Sequence, residues 1–138
     1  MPRWIEAITT AATSAQKPIV FVAHSLGAVA LAHAAPLLDA GKVKGALLVT
    51  PPSESAIALI PHVDPAFVPF PNAPLPFSSL FVASRTDPYA DYEASEALAR
   101  AWGARLVDAG ASGHLNDESG HGPWPEGLMS FAGFLRSL

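Results

Sequence analysis

Residues 19–38, IVFVAHSLGAVALAHAAPLL, contain no Asp, Glu, Lys or Arg. A run of that length either crosses a bilayer or lies inside a folded core. His24, Ser25, His33 and Pro36 interrupt it, and its two halves differ in character. Ile19-Val20-Phe21-Val22 is β-branched and aromatic, which suits a buried strand. After Gly27 the run turns Ala- and Leu-rich, which suits a helix. Ala32-His33-Ala34 loosely resembles a signal-cleavage site, but the segment before Pro18 reads as an ordinary amphipathic helix. The run is therefore read as a core strand, a tight turn at His24-Ser25, and a helix from about Leu26 to Leu38, without a membrane role.

The rest of the chain extends this pattern. Trp4, Ile5, Ile8, Ala11 and Ala12 recur at helical spacing, predicting a helix over 3–15 that Lys17-Pro18 ends. Pro36 is expected to disturb the last turn of the second helix, with Gly41 where a C-terminal cap would sit. A buried strand is expected at 45–50, a third strand at 79–84 and a short one at 104–109. Residues 51–78 hold eight of the fourteen prolines and read as a long irregular loop. A helix over 90–102 would bury Ala94, Ala97, Leu98, Ala101 and Trp102, and a final helix from Pro125 would bury Leu128, Phe131, Leu135 and Leu138. Strands alternating with helices predict an α/β fold: a doubly wound, mostly parallel sheet covered on both faces.

Composition narrows the function. With 138 residues, half of them hydrophobic and 14% charged, the chain has the make-up of one globular domain spanning 1–138, not of a disordered segment. The net charge is −4 and no run of Lys or Arg occurs, so neither nucleic acid nor an anionic membrane is an expected partner. The absence of cysteine excludes disulfides, thiolate metal sites and a Cys nucleophile, and fits a cytoplasmic location.

In a parallel sheet, sites form at the carboxyl ends of strands, and Ser25 lies at such an end. A tight strand–Ser–helix turn points the hydroxyl outward and sets the Leu26 N–H at a helix N-terminus, where it could meet an oxyanion. Ala23-His24-Ser25-Leu26-Gly27 is a G-x-S-x-G elbow with Ala in the first position; a serine that simply caps the helix is the plainer reading. A serine nucleophile needs a base, and the base needs an orienting acid. Among the five histidines, His33 sits on a core helix and His62 in the proline-rich loop. His24 adjoins Ser25, but its side chain should point away from the hydroxyl. His114 and His121 follow the last strand, and His114 is close enough to reach over Ser25. For the acid, Asp87 follows the third strand and Pro88 restricts its backbone, although taken alone it reads better as a cap of the next helix. Asp108 lies within a strand, and Asp117 follows His114 too closely to brace it. The reading converges on Ser25, Asp87 and His114, with Leu26 in the oxyanion hole. His24, His121 and Trp124 are assigned to the pocket wall. This chemistry calls for no cofactor and no metal.

The runs VAHSLG, VASRTDPY and AWGARLVDAGASGHLNDESGHGPWPEG together resemble the small serine hydrolases related to retinoblastoma-binding protein nine. The resemblance covers nearly the whole chain. It implies a compact α/β-hydrolase without a large cap domain, acting on small esters or amides, with Ser25, Asp87 and His114 as its triad. The vertebrate namesake's pocket-protein motif needs a cysteine, so that partner is not carried over. Such proteins usually begin with a strand ending in a Gly turn, a helix and a second strand ahead of the equivalent of Trp4, so the resemblance implies N-terminal truncation. The first strand would flank 19–23 and supply a second oxyanion donor, whose loss typically costs about 10²–10³ in rate. Strand 19–23 would then be an exposed edge, open to a partner or to homodimer formation. The alternative to a hydrolase is thus a non-catalytic binding protein of the same fold.

Overall fold

The computed structural model describes residues 1–138. In chain order the elements are α1 (Pro2–Ser14), β1 (Ile19–His24), α2 (Leu26–Ala34), β2 (Val43–Val49), α3 (Glu54–Leu59), β3 (Ser78–Ala83), α4 (Tyr92–Ala101), β4 (Arg105–Asp108) and α5 (Pro125–Leu135). Short 3₁₀ turns occupy Ala35–Leu37, Pro65–Phe67 and Asp117–Ser119. The four strands form one sheet in the order β1-β2-β3-β4, every pair parallel. No helix is long and apolar enough to cross a membrane. The uncharged run divides where its composition changes, and Pro36 lies in the 3₁₀ turn that ends its helical half.

Alternation along the central strands builds two layers. Leu47, Leu48 and Val49 stand opposite Leu80, Phe81 and Val82. Ala46, Leu48, Phe81 and Ala83 pack with Leu31 of α2, Ala99 of α4 and the fully buried Trp102. Leu47, Val49, Leu80 and Val82 face the other way, onto Phe134 of α5. A period of two in the strands therefore explains why helices cover both faces. β1 pairs only with β2, lies at an edge, and leaves Val22 61% exposed.

Three expectations need correction. The 51–78 segment is not wholly irregular. Ser53 caps α3 by accepting from the Ala56 N–H at 3.1 Å, and Asp64 caps the 3₁₀ turn after it. In α4 the buried positions are Ser95 and Ala99, followed by Trp102, while Ala94 and Ala97 are exposed. Trp102 sets this phase, because its indole N–H donates to the Pro71 carbonyl at 2.8 Å and its ring packs on Phe81 and Phe70. In α5 the buried residues are Gly127 and Phe134, whereas Leu128 and Leu135 are 69% and 43% exposed. There the Trp124 ring lies against Gly127 so closely that a Cβ would come within 2.1 Å of it. That contact rotates the helix so that Phe134, not Leu135, enters the core.

Gly45 in β2 is held as tightly. A Cβ there would stand 2.8 Å from the Phe134 ring and 3.0 Å from both Leu138 and the Ser78 carbonyl oxygen. Gly45→Ala should lift α5 from the sheet and cost about 1–3 kcal/mol, read as a lowered midpoint in thermal or urea unfolding.

Candidate active site

The parallel sheet delivers its chemistry to one rim. Ser25 follows β1, Asp87 follows β3 and His114 follows β4, so all three lie past carboxyl ends of strands. Ser25 has φ 54° and ψ −127°, a conformation rare for a residue with a Cβ and retained only where the surroundings enforce it. Two bonds enforce it here: the Ser25 N–H donates to the Val49 carbonyl at 2.9 Å, and its own carbonyl accepts from Ala28 at 3.0 Å. The serine hydroxyl caps nothing in α2, so the helix-cap reading does not describe it. The close approach implied by the small residue at 27 is mild, since a Cβ on Gly27 would meet only Trp4, at 4.0 Å.

His114 Nε2 stands 2.9 Å from Ser25 Oγ. On the far side of the ring, Nδ1 lies 3.0 and 3.2 Å from the two Asp87 carboxylate oxygens. An ionised carboxylate only accepts, so Nδ1 carries the hydrogen and Nε2 offers its lone pair to the serine hydroxyl. The His114 and Asp87 side chains are only 8% and 3% exposed. Asp87 also accepts from the Tyr89 N–H at 2.9 Å, which fixes its rotamer, and Tyr89 packs edge-on against the His114 ring with centroids 4.6 Å apart. The cap position of α4 is Asp91, not Asp87. The Leu26 N–H is the first of α2, one of the amides with no acceptor inside its own helix. The arrangement can take a proton from an alcohol, hold it, and return it.

The loop that carries His114 is held by groups the sequence did not single out. Left-handed backbone at Gly113 (φ 56°) and Leu115 (φ 50°) brackets the histidine. Gly113 has no alternative, because a Cβ there would fall 2.5 Å from that of Ser119. The buried Ser84 hydroxyl donates to the Gly110 carbonyl at 3.3 Å and accepts from the Ser112 N–H at 3.0 Å, and Thr86 Oγ1 accepts from Gly113 at 3.0 Å. Both side chains sit in the turn after β3 that leads to Asp87, so acid and base are held by one cluster. A short polar residue just past a strand end is the only sequence signal for this role.

The residues assigned to the pocket wall separate. A small cavity of about 210 Å³ at Ser25 is lined by Leu26, Pro52, Ile60, Tyr89, His114 and Asn116. His24 is not among them. Its Nε2–H donates to the His114 carbonyl at 2.8 Å, and the Thr50 hydroxyl donates to the same oxygen at 3.2 Å. His121 and Trp124 are also absent: they line a different cavity with Val82, Val107 and Asp108, beneath α5. The left-handed Gly120 (φ 80°) ends the 3₁₀ turn and sends the chain across to that layer. His33 is structural, with Nε2 2.9 Å from the Phe67 carbonyl. No cluster of three or more His, Asp or Glu side chains is placed to hold a metal ion.

Asp108, set aside as the orienting acid because it lies in a strand, clamps the start of this loop. Its carboxylate accepts from the Arg85 side chain at 2.8 Å and from the Gly110 N–H at 2.8 Å. The Arg85 hydrogen bond, then the Gly110 one, holds it below the usual carboxylate range. A depressed pKa means the clamp acts at neutral pH and is lost as the pH falls through the lowered value. The protection of the Gly110 and Ser112 amides, taken relative to their intrinsic exchange rates at each pH, should therefore fall in acid, and Asp108→Ala should lower it at neutral pH. His24→Ala should leave the His114 carbonyl with one donor fewer and cost about 1 kcal/mol, measured by denaturant unfolding.

Comparison with known proteins bears on the family and the fold. The family model described as serine hydrolase matches residues 1–133. Among solved structures, a YdeN-like hydrolase from Pectobacterium atrosepticum is 31% identical, with a TM-score of 0.80 over 96% of this chain and 68% of that one. The ydeN gene product of B. subtilis is 18% identical, with a TM-score of 0.75 over 96% of this chain and 74% of that one. A hydrolase of the alpha/beta superfamily from Xanthomonas campestris is 23% identical, with a TM-score of 0.64 over 99% and 67%. No curated protein matches the sequence. By the family match and the shared architecture, this chain belongs to the serine hydrolase family and has the α/β-hydrolase fold.

Proposed function

We propose that the chain hydrolyses small carboxylic esters or amides through an acyl-enzyme, in the manner of the retinoblastoma-binding protein nine-like hydrolases and in the cytoplasm. Ser25 Oγ attacks the acyl carbonyl carbon while its proton passes to His114 Nε2. The carbonyl oxygen gains the negative charge and is stabilised by the Leu26 N–H and the N-terminus of α2. The C–O or C–N bond then breaks, and His114 returns the proton to the departing alcohol or amine. Water repeats the sequence on the acyl-serine, releasing the acid and restoring the hydroxyl. Asp87 holds the imidazole in the tautomer this requires and stabilises it when it is charged.

The observation that carries this reading is the unbroken chain of contacts, 2.9 Å from Oγ to Nε2 and 3.0 Å from Nδ1 to a carboxylate that is almost fully buried. The backbone strain at Ser25 is a second support, since a capping serine needs none.

One observation favours a second reading. The outer edge of β1 is unpaired and presents Val22 to solvent, as a protein that works by strand addition to a partner or a second copy would require. That reading expects a dimer that ignores serine-directed reagents.

A fluorophosphonate probe separates the two. It should label the folded protein at Ser25 alone, and Ser25→Ala should abolish labelling. Asp87→Asn, with shape and burial preserved, should lower kcat on p-nitrophenyl acetate about 10⁴-fold by stabilising the wrong tautomer. Folded protein that is neither labelled nor active on short esters would refute the hydrolase.

A further inference from the structure

The cavity at Ser25 shares two of its walls with another. Ile60 and Tyr89 also line a second cavity, of about 370 Å³, beside α3. Its further walls include Ala56 and Leu59 of α3 and Pro88 and Ala90 from the turn after Asp87. Leu59 is 83% exposed, an apolar side chain left uncovered beside a concave surface. Tyr89 is the shared post. Its ring edge meets His114, its N–H is bound by Asp87, and its carbonyl accepts from the Ser53 N–H at the start of α3. Both cavities are thus built on backbone that is already fixed by the triad.

From these walls we infer that the substrate of the Ser25 site carries an uncharged apolar arm of medium length, running from the serine past Tyr89 and Ile60 into the cavity along α3. This rests on the hydrolase reading and narrows it. At about 30 Å³ for a water-sized group, the first cavity takes about seven non-hydrogen atoms, enough for the ester group and about four carbons. Longer arms must enter the second cavity, which has room for about a dozen more. The charge pattern supports the choice of an uncharged arm. Asp91 is the one carboxylate lining either cavity, and neither Lys nor Arg lines them. An arm ending in a carboxylate would find no cation there and would meet a like charge.

A methylene fully withdrawn from water is worth about fourfold in affinity, and about twofold when half covered, as in an open groove. Extending one arm from four to eight carbons should therefore raise kcat/KM about fifteenfold. Two series show which arm is read: methyl butanoate against methyl octanoate, and butyl acetate against octyl acetate, followed by proton release. One series should gain. Ala56→Trp, which fills the second cavity, should return its eight-to-four ratio to about one, and Leu59→Glu should lower the same ratio. Monomethyl suberate should be a poorer substrate than methyl octanoate. If neither series gains, or if the ratios are indifferent to both variants, the inference falls while a Ser25-dependent hydrolysis of acetates would still stand. A binding measurement separates the two ideas fully. In Ser25→Ala protein, 2-octanone should bind more tightly than 2-butanone, and Ala56→Trp should remove most of that preference. No preference, or one unaffected by the variant, overturns the groove even in an active enzyme, whereas loss of Ser25 labelling with the ketone preference intact overturns the hydrolase alone.

Discussion

The parallel pairing of β1, β2, β3 and β4 is the constraint on which the site depends. Because every strand runs the same way, each carboxyl end opens onto one rim, and polar residues far apart in sequence reach it without long excursions. An antiparallel β3 would send Asp87 to the opposite rim, and no side chain is long enough to recover that distance. The register matters as much as the direction. Val49 stands level with His24 and Val82, which lets the Val49 carbonyl take the Ser25 N–H and the Val82 carbonyl take the N–H of Thr50. These bonds continue the ladder one step past the strands, and they hold Ser25 and Thr50, both at positive φ.

Strain concentrated at the rim is therefore supported by regular structure below it. Of the four non-glycine residues with positive φ, His62 lies in the segment after β2, while Ser25, Thr50 and Leu115 each touch His114 or adjoin it in the chain. Such conformations cost about 1–3 kcal/mol each, and the buried sheet offsets that cost. The return is a fixed imidazole. Its ring is held by Asp87 and Tyr89, and its carbonyl by His24 and Thr50. A base oriented before substrate arrives needs no rearrangement during the reaction.

Much of this was legible in the chain, for identifiable reasons. The strand positions follow from short β-branched and aromatic runs, and the Ser25 turn from the change of composition within one uncharged segment. Ser25, Asp87 and His114 could be brought together by argument because the fold class alone places strand ends on one rim. The helical faces were less legible. Ala94 and Ala97, or Leu128 and Leu135, satisfy helical spacing as well as the residues that are buried, and hydrophobicity alone does not choose between overlapping faces. Trp102 and Trp124 chose, through one hydrogen bond and one close ring contact.

What the sequence by itself determined was the alternation of strand and helix and the chemical identity of the three groups at the rim, since periodicity and residue type are properties of neighbours along the chain. The tertiary structure alone decided the assignments that depend on loop direction. His24 serves as a brace to the His114 carbonyl, and His121 and Trp124, which follow the left-handed Gly120, lie beneath α5. The two neighbouring cavities at Ser25 and beside α3 were hidden for the same reason. The walls they share come from the segment after β2 and the turn after β3, and only the packed sheet brings these two stretches within reach of one another.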